Sequence, residues 1–309
     1  MTKALKTTDY PTKNSLNNLV AVVDNDLNRV FSRLLDRDCS QNTRLAMGSD
    51  LRSFFKWYSS ANGEQFSFQR VTARDIRDYK AAMQQADLSV ATVNRRLVTL
   101  NQFFIAAMHE GMIKKNPAAD VKQLSKQPLA PKGLTQQDAR KLLKEVEVRG
   151  NLRDRCIIEL MVGAGLRVSE VVALRPPDIY RGDRRGHATI HNSKGNKTRN
   201  VPLNKELRAI LKEFEATGKQ GNTQLFVGQR GALTPLAVNK IVEKYAKKAG
   251  VQASPHTLRH TFAYAFLKAH PSEIVALSQI LGHSNINTTA IYTQNRLEDL
   301  QEKVEAIGF

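Results

Sequence analysis

The sequence contains little cysteine and no long apolar run. Its only two cysteines among 309 residues, Cys39 and Cys156, exclude a disulfide scaffold and favour a reducing compartment. No stretch approaches the roughly 18 uninterrupted apolar residues that a membrane span needs. The first twenty residues lack the apolar region of a signal peptide. From these absences we expect a cytoplasmic protein with no membrane partner.

Acidic residues are also scarce relative to basic ones. The chain carries 47 Lys and Arg against 29 Asp and Glu, a formal net charge of +18, and its 41% of hydrophobic residues suffices for sizeable cores. Residues 1–133 hold 20 basic and 12 acidic residues, and residues 134–309 hold 27 and 17. Two basic halves favour nucleic acid as the partner, with a merely solvated basic surface as the alternative.

One segment divides the chain into two predicted domains. Residues 121–133, VKQLSKQPLAPKG, contain two prolines, three lysines and no acid, which predicts an extended basic linker. Residues 1–120 show helical periodicity and are predicted to form an all-helical domain, whereas residues 134–309 have a mixed pattern. The predicted helices include 42–59, 72–83, 89–110, 152–162, 205–215, 235–249, 255–269 and 272–281. The predicted strands are 189–193 and 198–203, joined by a hairpin turn at 194–197.

Basic and polar side chains near helix and strand ends are candidate DNA contacts. Asn94, Arg95 and Arg96 lie near the start of a predicted helix, where they could reach phosphates or bases, although a solvated face explains them equally. The other candidates are Lys122, Lys126 and Lys132 in the linker, and Lys197 and Arg199 at the second strand.

Two turns in the second half carry possible phosphate-binding cations. In GAGLRVSE, residues 163–170, the glycines permit a tight turn and Arg167 lies at the next helix start, where free N–H groups favour an anion. An ion pair between Arg167 and Glu170 is the simpler explanation of that arginine. Lys194 lies in the predicted hairpin turn, and a turn lysine is usually solvated and inert.

The segment SPHTLRH, residues 254–260, combines a helix start with three basic side chains. Ser254 is a suitable N-cap, and His256 and Arg259 then share one face of the helix. Zinc binding by His256 and His260 is possible at their spacing. However, Thr257 stands where a metalloprotease helix has glutamate, so a phosphate is the better ligand for this face.

The last two motifs are ambiguous by themselves. His283 follows Gly282, which is typical of a helix C-terminus, and local hydrogen bonds are its simplest role. Tyr292 lies in a predicted helix that opens at Asn287, and a half-buried core position is its simplest role. Neither residue identifies a reaction alone.

In this order, the motifs resemble those of the tyrosine recombinase (phage integrase) family, and in size and layout its Xer-like bacterial members. The resemblance extends over residues 25–309 and is carried by GLRVSE, SKGNKTRNVPL, HTLRHTFA and LGHSNINTTAIYT. His260 matches a further histidine of the family pattern, and we expect it to have a supporting role. The family's catalytic set is complete in this chain: Arg167, Lys194, His256, Arg259, His283 and Tyr292.

The resemblance implies a reaction without metal or cofactor. Tyr292 would attack a DNA phosphodiester and form a 3′-phosphotyrosyl ester, so that the bond energy is retained. The two arginines, with His283 as a further donor, would stabilise the charge on the nonbridging oxygens. His256 would take the tyrosine proton, and Lys194 would protonate the 5′-hydroxyl leaving group.

The resemblance also implies a fold and an assembly. We expect a mainly α fold with a small antiparallel β-sheet in the catalytic domain, 134–309, and a two-domain C-shaped clamp around DNA. A homotetramer, or a heterotetramer with a partner recombinase, would hold two double-stranded DNA sites with inverted repeats and form a Holliday junction. An apolar stripe after the tyrosine is expected to dock on a neighbouring protomer, unless it folds back on its own domain. The stripe is Leu297, Leu300, Val304 and Ile307.

Several roles and two other classes share these features. Dimer resolution, transposon resolution and mobile-element integration all use this chemistry, and each would place the protein in the cytoplasm at the nucleoid. A type IB topoisomerase-like enzyme would use much the same residues but relax supercoils without site preference. A non-catalytic DNA-binding regulator descended from a recombinase would usually lack one member of the set.

Overall fold

The computed structural model describes residues 25–36, 39–125, 133–191, 198–221, 223–283 and 285–293, together with 305 and 307. The chain divides into two compact units, Met1–Gln127 and Pro128–Phe309. Each unit has its own apolar core. In this described part of the chain, none of the helices is long and apolar enough to cross a membrane.

Helices build the first unit, and side-chain hydroxyls fix where they begin. The described helices are α1 (Asn25–Leu35), α2 (Gln41–Asn62), α3 (Ala73–Gln85) and α4 (Val90–His109). Ser40, Thr72 and Ser89 each accept a hydrogen bond from the backbone N–H three residues further on. Each bond satisfies a donor that the first helical turn leaves without a partner. The starts of α2, α3 and α4 therefore lie within one residue of the predicted starts.

Aromatic side chains fill the core of the first unit. Phe54 on α2 and both Phe103 and Phe104 on α4 have no exposed surface. The ring centroids of Phe103 and Phe104 are 5.2 Å apart at 66°, and Trp57 lies 5.1 Å from Tyr79 of α3. Because edge-on and tilted ring pairs favour particular orientations, these contacts fix how α2, α3 and α4 pack.

The segment after α4 is bonded to the first unit. The Asn94 amide donates to the Leu124 carbonyl and accepts from the Leu124 N–H, each at 2.8 Å. Lys80 Nζ donates to the Lys122 carbonyl at 2.7 Å. Asn94 is 8% exposed, and both ends of its amide are occupied. Asn94 therefore holds residues 121–125 against the helices, and its predicted contact with DNA stays a prediction.

The second unit is larger and mixes helices with two small sheets. Its described elements, in chain order, are α5 (Gln136–Arg149), α6 (Leu152–Gly163), α7 (Val168–Ala173), a 3₁₀ turn (Pro176–Asp178), β1 (Ile179–Arg181), β2 (Gly186–His191), β3 (Thr198–Pro202), α8 (Lys205–Ala216), β4 (Val227–Gly228), β5 (Gly231–Ala232), α9 (Pro235–Lys248), α10 (Pro255–Ala269), α11 (Ile274–Leu281), α12 (Asn287–Ala290) and a second 3₁₀ turn (Ile291–Thr293). Strands β1, β2 and β3 form an antiparallel sheet in chain order, with Ile190 opposite Arg199. Strands β4 and β5 form a separate hairpin.

Helix α6 lies at the centre of the second core. Ile157, Ile158, Leu160 and Met161 are completely buried on it, and inward-facing residues of β2 join the same core. Cys156 is buried there as well. Burial raises the pKa of its thiol to about 12, so that the thiol is protonated and unreactive.

The observed fold confirms a mainly α protein with a small antiparallel sheet, and it differs from the prediction in its short elements. Strand β2 begins at Gly186, three residues before the predicted strand. The predicted helix from Asn287 stops after one turn and continues as a 3₁₀ turn. Elements of two to six residues such as β1, β4 and α7 are too short to show a period. The predicted turn at 194–197 lies outside the described residues.

Candidate active site

Arg167 is placed by a turn that requires glycine. After α6, Gly165 adopts φ +66°, and a Cβ at this position would lie 2.4 Å from the ring of Phe262. Arg167 then precedes α7, where its N–H donates to Glu170 Oε2 and its Nη1 donates to Glu170 Oε1, each at 2.8 Å. The simple ion pair is thus present. About a third of the arginine side chain is still exposed, 36%, so the pair leaves it accessible to a ligand.

Arg259 is almost completely buried beside this turn. Its side chain is 3% exposed, and it donates to the Gly165 carbonyl and to the Leu281 carbonyl, each at 2.7 Å. Burial, followed by the positive charge of Arg167, lowers the pKa of Arg259 to about 10. The guanidinium remains charged at neutral pH, and its two carbonyl partners hold it in a fixed direction.

His283 contacts Arg259 directly. Its Nδ1 lies 2.8 Å from the hydroxyl of Thr289, and its Nε2 lies 3.1 Å from Arg259 Nη2. Because a guanidinium only donates, Nε2 accepts and the proton lies on Nδ1. Burial, with the charges of Arg259 and Arg167, lowers the pKa of His283 to about 4. In this arrangement His283 Nε2 accepts from Arg259. This contact has to break before Nε2 can donate a hydrogen bond to a phosphate, as the resemblance implies.

Tyr292 is buried at the second 3₁₀ turn. It is 5% exposed, its hydroxyl lies 2.7 Å from His260 Nδ1, and Tyr264 packs edge-on at 5.4 Å. Burial raises the pKa of Tyr292, although the nearby charge of Arg259 opposes this effect. The tyrosine is therefore neutral at pH 7 and needs a proton acceptor before it can attack.

The hydrogen-bond partner of Tyr292 differs from the predicted proton acceptor. The resemblance makes His256 the base or hydrogen-bond partner of the tyrosine, whereas in the structure the tyrosine hydroxyl bonds to His260; the role of His256 as base stays a prediction. Burial, followed by the charge of His256, lowers the pKa of His260 to about 4, so that the ring is neutral at pH 7 and can accept a proton. The His256 ring lies 4.1 Å from the His260 ring, on the exposed side of α10. Desolvation and the charges of Arg259 and Arg167 lower the pKa of His256.

The structure thus brings most of the expected catalytic set together in the second unit. The five described members that share charge or hydrogen-bond interactions are Arg167, His256, Arg259, His283 and Tyr292. Lys194 lies outside the described residues. Within the described part of the chain, no group of three or more His, Cys, Asp or Glu side chains is placed to hold a metal ion.

The residues predicted to contact DNA differ in exposure and in their partners within the protein. Arg95 and Arg96 pair with the buried carboxylate of Asp50, and Arg95 remains about half exposed. Lys122 is exposed. Arg199 is only 12% exposed, and its guanidinium binds Glu170, so its predicted contact with DNA stays a prediction. Three candidates lie outside the described residues: Lys126, Lys132 and Lys197.

Sequence reasoning did not predict the structural roles of two residues that organise the site. Arg199 joins β3 to Glu170, and Thr289, which is fully buried, orients the ring of His283. No local spacing links Arg199 to Glu170, because they are 29 positions apart. Thr289 lies six positions after His283, and a threonine in a short polar run carries no distinctive signal.

Comparisons with known proteins show the family of the chain. The model of the "Phage integrase family" matches residues 132–298, and that of "Phage integrase, N-terminal SAM-like domain" matches residues 30–111. Tyrosine recombinase XerD of Ralstonia nicotianae is 33% identical over 278 residues, which are 86% of this chain and 88% of that protein. Tyrosine recombinase XerA of Pyrococcus horikoshii is 31% identical over 289 residues, 92% and 94% of the two chains.

Solved structures show the same fold. The pre-cleavage complex of the XerH site-specific recombinase with its difH substrate has a TM-score of 0.72 at 22% identity, and the match covers 94% of this chain and 87% of that one. A lambda integrase dimer bound to a COC′ core site has a TM-score of 0.71 at 19% identity, with 88% and 95% covered.

A buried tyrosine that is hydrogen-bonded to a neutral histidine, with two arginines close by, defines a class of enzymes that cleave and rejoin DNA through a tyrosine. The fold and the curated relatives narrow this class. The chain belongs to the phage integrase family and is a Xer-like tyrosine site-specific recombinase. DNA is its partner, and neither a topoisomerase-like enzyme nor a non-catalytic regulator is favoured.

Proposed function

We propose that the protein exchanges DNA strands at inverted-repeat core sites through a 3′-phosphotyrosyl intermediate formed by Tyr292. The observation that carries this proposal is that Arg259 and Arg167 bond to the adjacent carbonyls of Leu281 and Gly282, while Tyr292 bonds to His260, the residue next to Arg259. A phosphate bound there would contact fixed guanidinium donors at the point where the transition state gathers negative charge.

The proposed cleavage step balances without a cofactor. The Tyr292 hydroxyl oxygen bonds to phosphorus while the bond from phosphorus to the 5′-oxygen breaks. The tyrosine proton passes to a neutral histidine, for which His260 is the nearest acceptor and His256 the exposed neighbour. Lys194 supplies a proton to the 5′-oxygen. Religation reverses these transfers with the 5′-hydroxyl of another strand, so two rounds form and resolve a Holliday junction.

The proposed assembly is a tetramer on two duplexes, made of this chain alone or together with a partner recombinase. Each protomer would close as a C-shaped clamp on DNA, with the helical domain 1–120 and the catalytic domain 134–309 joined by linker 121–133. The positive charge of both halves supports this arrangement. The apolar stripe at Leu297, Leu300, Val304 and Ile307 would dock on a neighbouring protomer. Of these four residues, Ile307 is described and is 58% exposed.

A nicked duplex tests the proposed chemistry. Short duplexes from the DNA that flanks the gene, nicked near inverted repeats, let the cleaved fragment leave and trap the covalent complex. We expect an SDS-resistant protein–DNA band without added metal, and we expect Tyr292→Phe to abolish the band while DNA binding is retained. Tyr245→Phe is the matched control, because Tyr245 is a buried tyrosine of the same unit that bonds to Asp154.

Each result of this test has a defined meaning. A band that persists in Tyr292→Phe contradicts the assignment of the nucleophile. Bound duplexes that never yield a band favour a binding-only protein or a missing partner. In a parallel assay on a supercoiled plasmid, relaxation without a preferred site favours a topoisomerase-like enzyme. The position of the cleaved site then separates dimer resolution, transposon resolution and mobile-element integration.

Removing residues 296–309 tests the stripe. If the stripe docks on a neighbouring protomer, the shortened protein still binds a single site but loses the pairing of two sites and the normal control of cleavage. Retained synapsis with unchanged cleavage contradicts a role in protomer contact.

A further inference from the structure

Three arginines converge on the C-terminal end of α11. The carbonyl of Ile280 accepts from Arg199 Nε at 2.8 Å. The carbonyl of Leu281 accepts from Arg259, and the carbonyl of Gly282 accepts from Arg167 Nη2 at 3.4 Å. The last carbonyls of a helix lack intrahelical partners and form its negative end. This helix end therefore gathers three guanidinium groups, of which the proposed function uses only two.

The third of them, Arg199, is committed to the buried carboxylate of Glu170. Arg199 Nη1 and Nη2 donate to the two oxygens of Glu170, each at 2.9 Å. The same carboxylate accepts from the N–H and Nη1 of Arg167 and lies 3.8 Å from Arg259 Nη1. Burial alone would raise the pKa of Glu170, but hydrogen bonds and charge from Arg199 and Arg167 outweigh it and lower the pKa. Glu170 is thus ionised among the phosphate-binding arginines.

An ionised carboxylate in this position competes with DNA phosphate. It attracts Arg167 and Arg259, and it repels the anion that they are proposed to bind. Arg199 offsets that charge: the three arginines and one carboxylate sum to +2, and without Arg199 the sum falls to +1. Arg199 also donates to both oxygens of the Glu170 carboxylate. Arg167 therefore shares this carboxylate with Arg199 and is not its only partner.

The space around Arg199 is provided by Gly282. A Cβ on Gly282 would lie 2.8 Å from Arg199 Cζ and 2.8 Å from its Nη1, and the residue adopts φ +65°. The glycine before His283 thus ends α11 and also admits the guanidinium. Since Arg199 lies on β3, five positions after Lys194, the same side chain links the strand that follows the hairpin to α7 and α11.

We infer that Arg199 is a positioning residue for strand cleavage: it neutralises Glu170 and clamps the end of α11, so that Arg167 and Arg259 present their free N–H groups to the scissile phosphate. This inference rests on the proposed function. It makes Arg199 act on the phosphate site through Glu170 and the end of α11. Arg199 itself does not touch DNA.

The test compares cleavage with binding in the full-length protein. Single-turnover formation of the covalent complex on a saturating nicked duplex gives the cleavage rate, and a gel shift gives Kd. For Arg199→Met we expect cleavage to fall by about 10–100-fold, with Kd changed by less than about 3-fold. Arg181→Met is the matched control, because Arg181 forms a partly buried ion pair with Glu215 in the same unit. We expect it to cleave at the wild-type rate.

A double variant separates electrostatic positioning from a purely structural role. In Arg199→Met with Glu170→Gln the uncompensated carboxylate is gone, so we expect cleavage to recover by about 3–10-fold over Arg199→Met. If Arg199→Met does not fold, as judged by circular dichroism, Arg199→Lys carries the test. The lysine keeps the charge but cannot serve both carboxylate oxygens and the Ile280 carbonyl, and we expect an intermediate rate.

The inference is overturned if Arg199→Met, or Arg199→Lys in its place, cleaves within about 2-fold of wild type, or if the double variant shows no recovery. Weakened binding with an unchanged cleavage rate would also overturn it, because that result makes Arg199 a DNA contact. If the wild-type protein itself yields no covalent complex, the proposed function fails and not this inference.

Discussion

The histidines of the active site are neutral at physiological pH because of where they are buried. Burial, followed by the charges of His256 and Arg259 at His260 and by those of Arg259 and Arg167 at His283, lowers the pKa values of both histidines to about 4, from an ordinary value of 6.5. Neutral His260 can accept the proton of Tyr292, which a charged imidazole could not do. Arg259, which would bind a phosphate, therefore also helps burial and His256 to keep the proton acceptor neutral.

The lowered pKa of His260 predicts how stability depends on pH. Because its folded pKa is about 4 and its unfolded pKa about 6.5, the unfolded state binds more protons between these values. The contribution of His260 to the free energy of unfolding is complete at pH 6.5 and above. It falls by about 1–3 kcal/mol as the pH falls towards 4. We expect wild type to lose more unfolding free energy than His260→Gln between pH 7 and pH 5 in urea titrations. Exposed His270→Gln is the control, and equal losses in wild type and His260→Gln contradict the prediction.

The sequence predicts the candidate catalytic residues but not the residues that hold them in place. Arg167, His283 and Tyr292 stand at fixed positions within short motifs, so a pattern of neighbours suffices. Asn94 bonds to a backbone segment 30 positions away, and Arg199 bonds to Glu170 29 positions away. Such partners are set by the packing of distant segments, and so local periodicity assigned both residues to a surface.

Among the elements, α10 carries most of the active site and depends on its first turn. Ser254 Oγ accepts from the Thr257 N–H at 3.2 Å, and His256, Arg259 and His260 follow on the same helix. We expect Ser254→Ala to lower the free energy of unfolding by about 1 kcal/mol, because the cap is lost. Ser254→Asp keeps an acceptor and should remain close to wild type. Urea unfolding followed by far-UV circular dichroism measures both, and equal midpoints for wild type and Ser254→Ala would count against the cap.

Helix α12 is shorter than the helix predicted from Asn287, and β-branched residues explain the difference. Asn287 and the following residues have helical spacing, but Thr288, Thr289 and Ile291 are β-branched and disfavour a continued helix. The 3₁₀ turn that follows places Tyr292 in contact with α10. Long elements such as α2 and α9 were predicted to within a few residues, because their apolar periods repeat several times.

For the whole molecule, two compact units, each with apolar clusters of its own, predict two unfolding transitions. Trp57, the only tryptophan, lies in the first core, so its fluorescence reports that unit alone. Leu100→Ala, in the same core, should lower the stability of that unit by about 2–5 kcal/mol and shift the fluorescence midpoint in urea. Leu160→Ala, in the second core, should shift the circular dichroism midpoint and leave the fluorescence midpoint in place. Parallel shifts of both signals in either variant would mean that the units unfold as one.

The net charge of +18 predicts a steep dependence of DNA binding on salt. Each phosphate neutralised by a side chain releases counterions, so the logarithm of affinity falls with that of salt by about 0.9 per contact. Lys122 is exposed at the end of the first unit, where the proposed clamp would bring it to the backbone. Lys122→Gln should reduce the slope by about one contact and weaken binding to all sequences equally. Arg149→Gln, a surface cation that pairs with Glu145 on α5, is the control. If both variants keep the wild-type slope, the charge around Lys122 is only a solvated surface. A smaller slope in Lys122→Gln alone means that DNA reaches the end of the first unit.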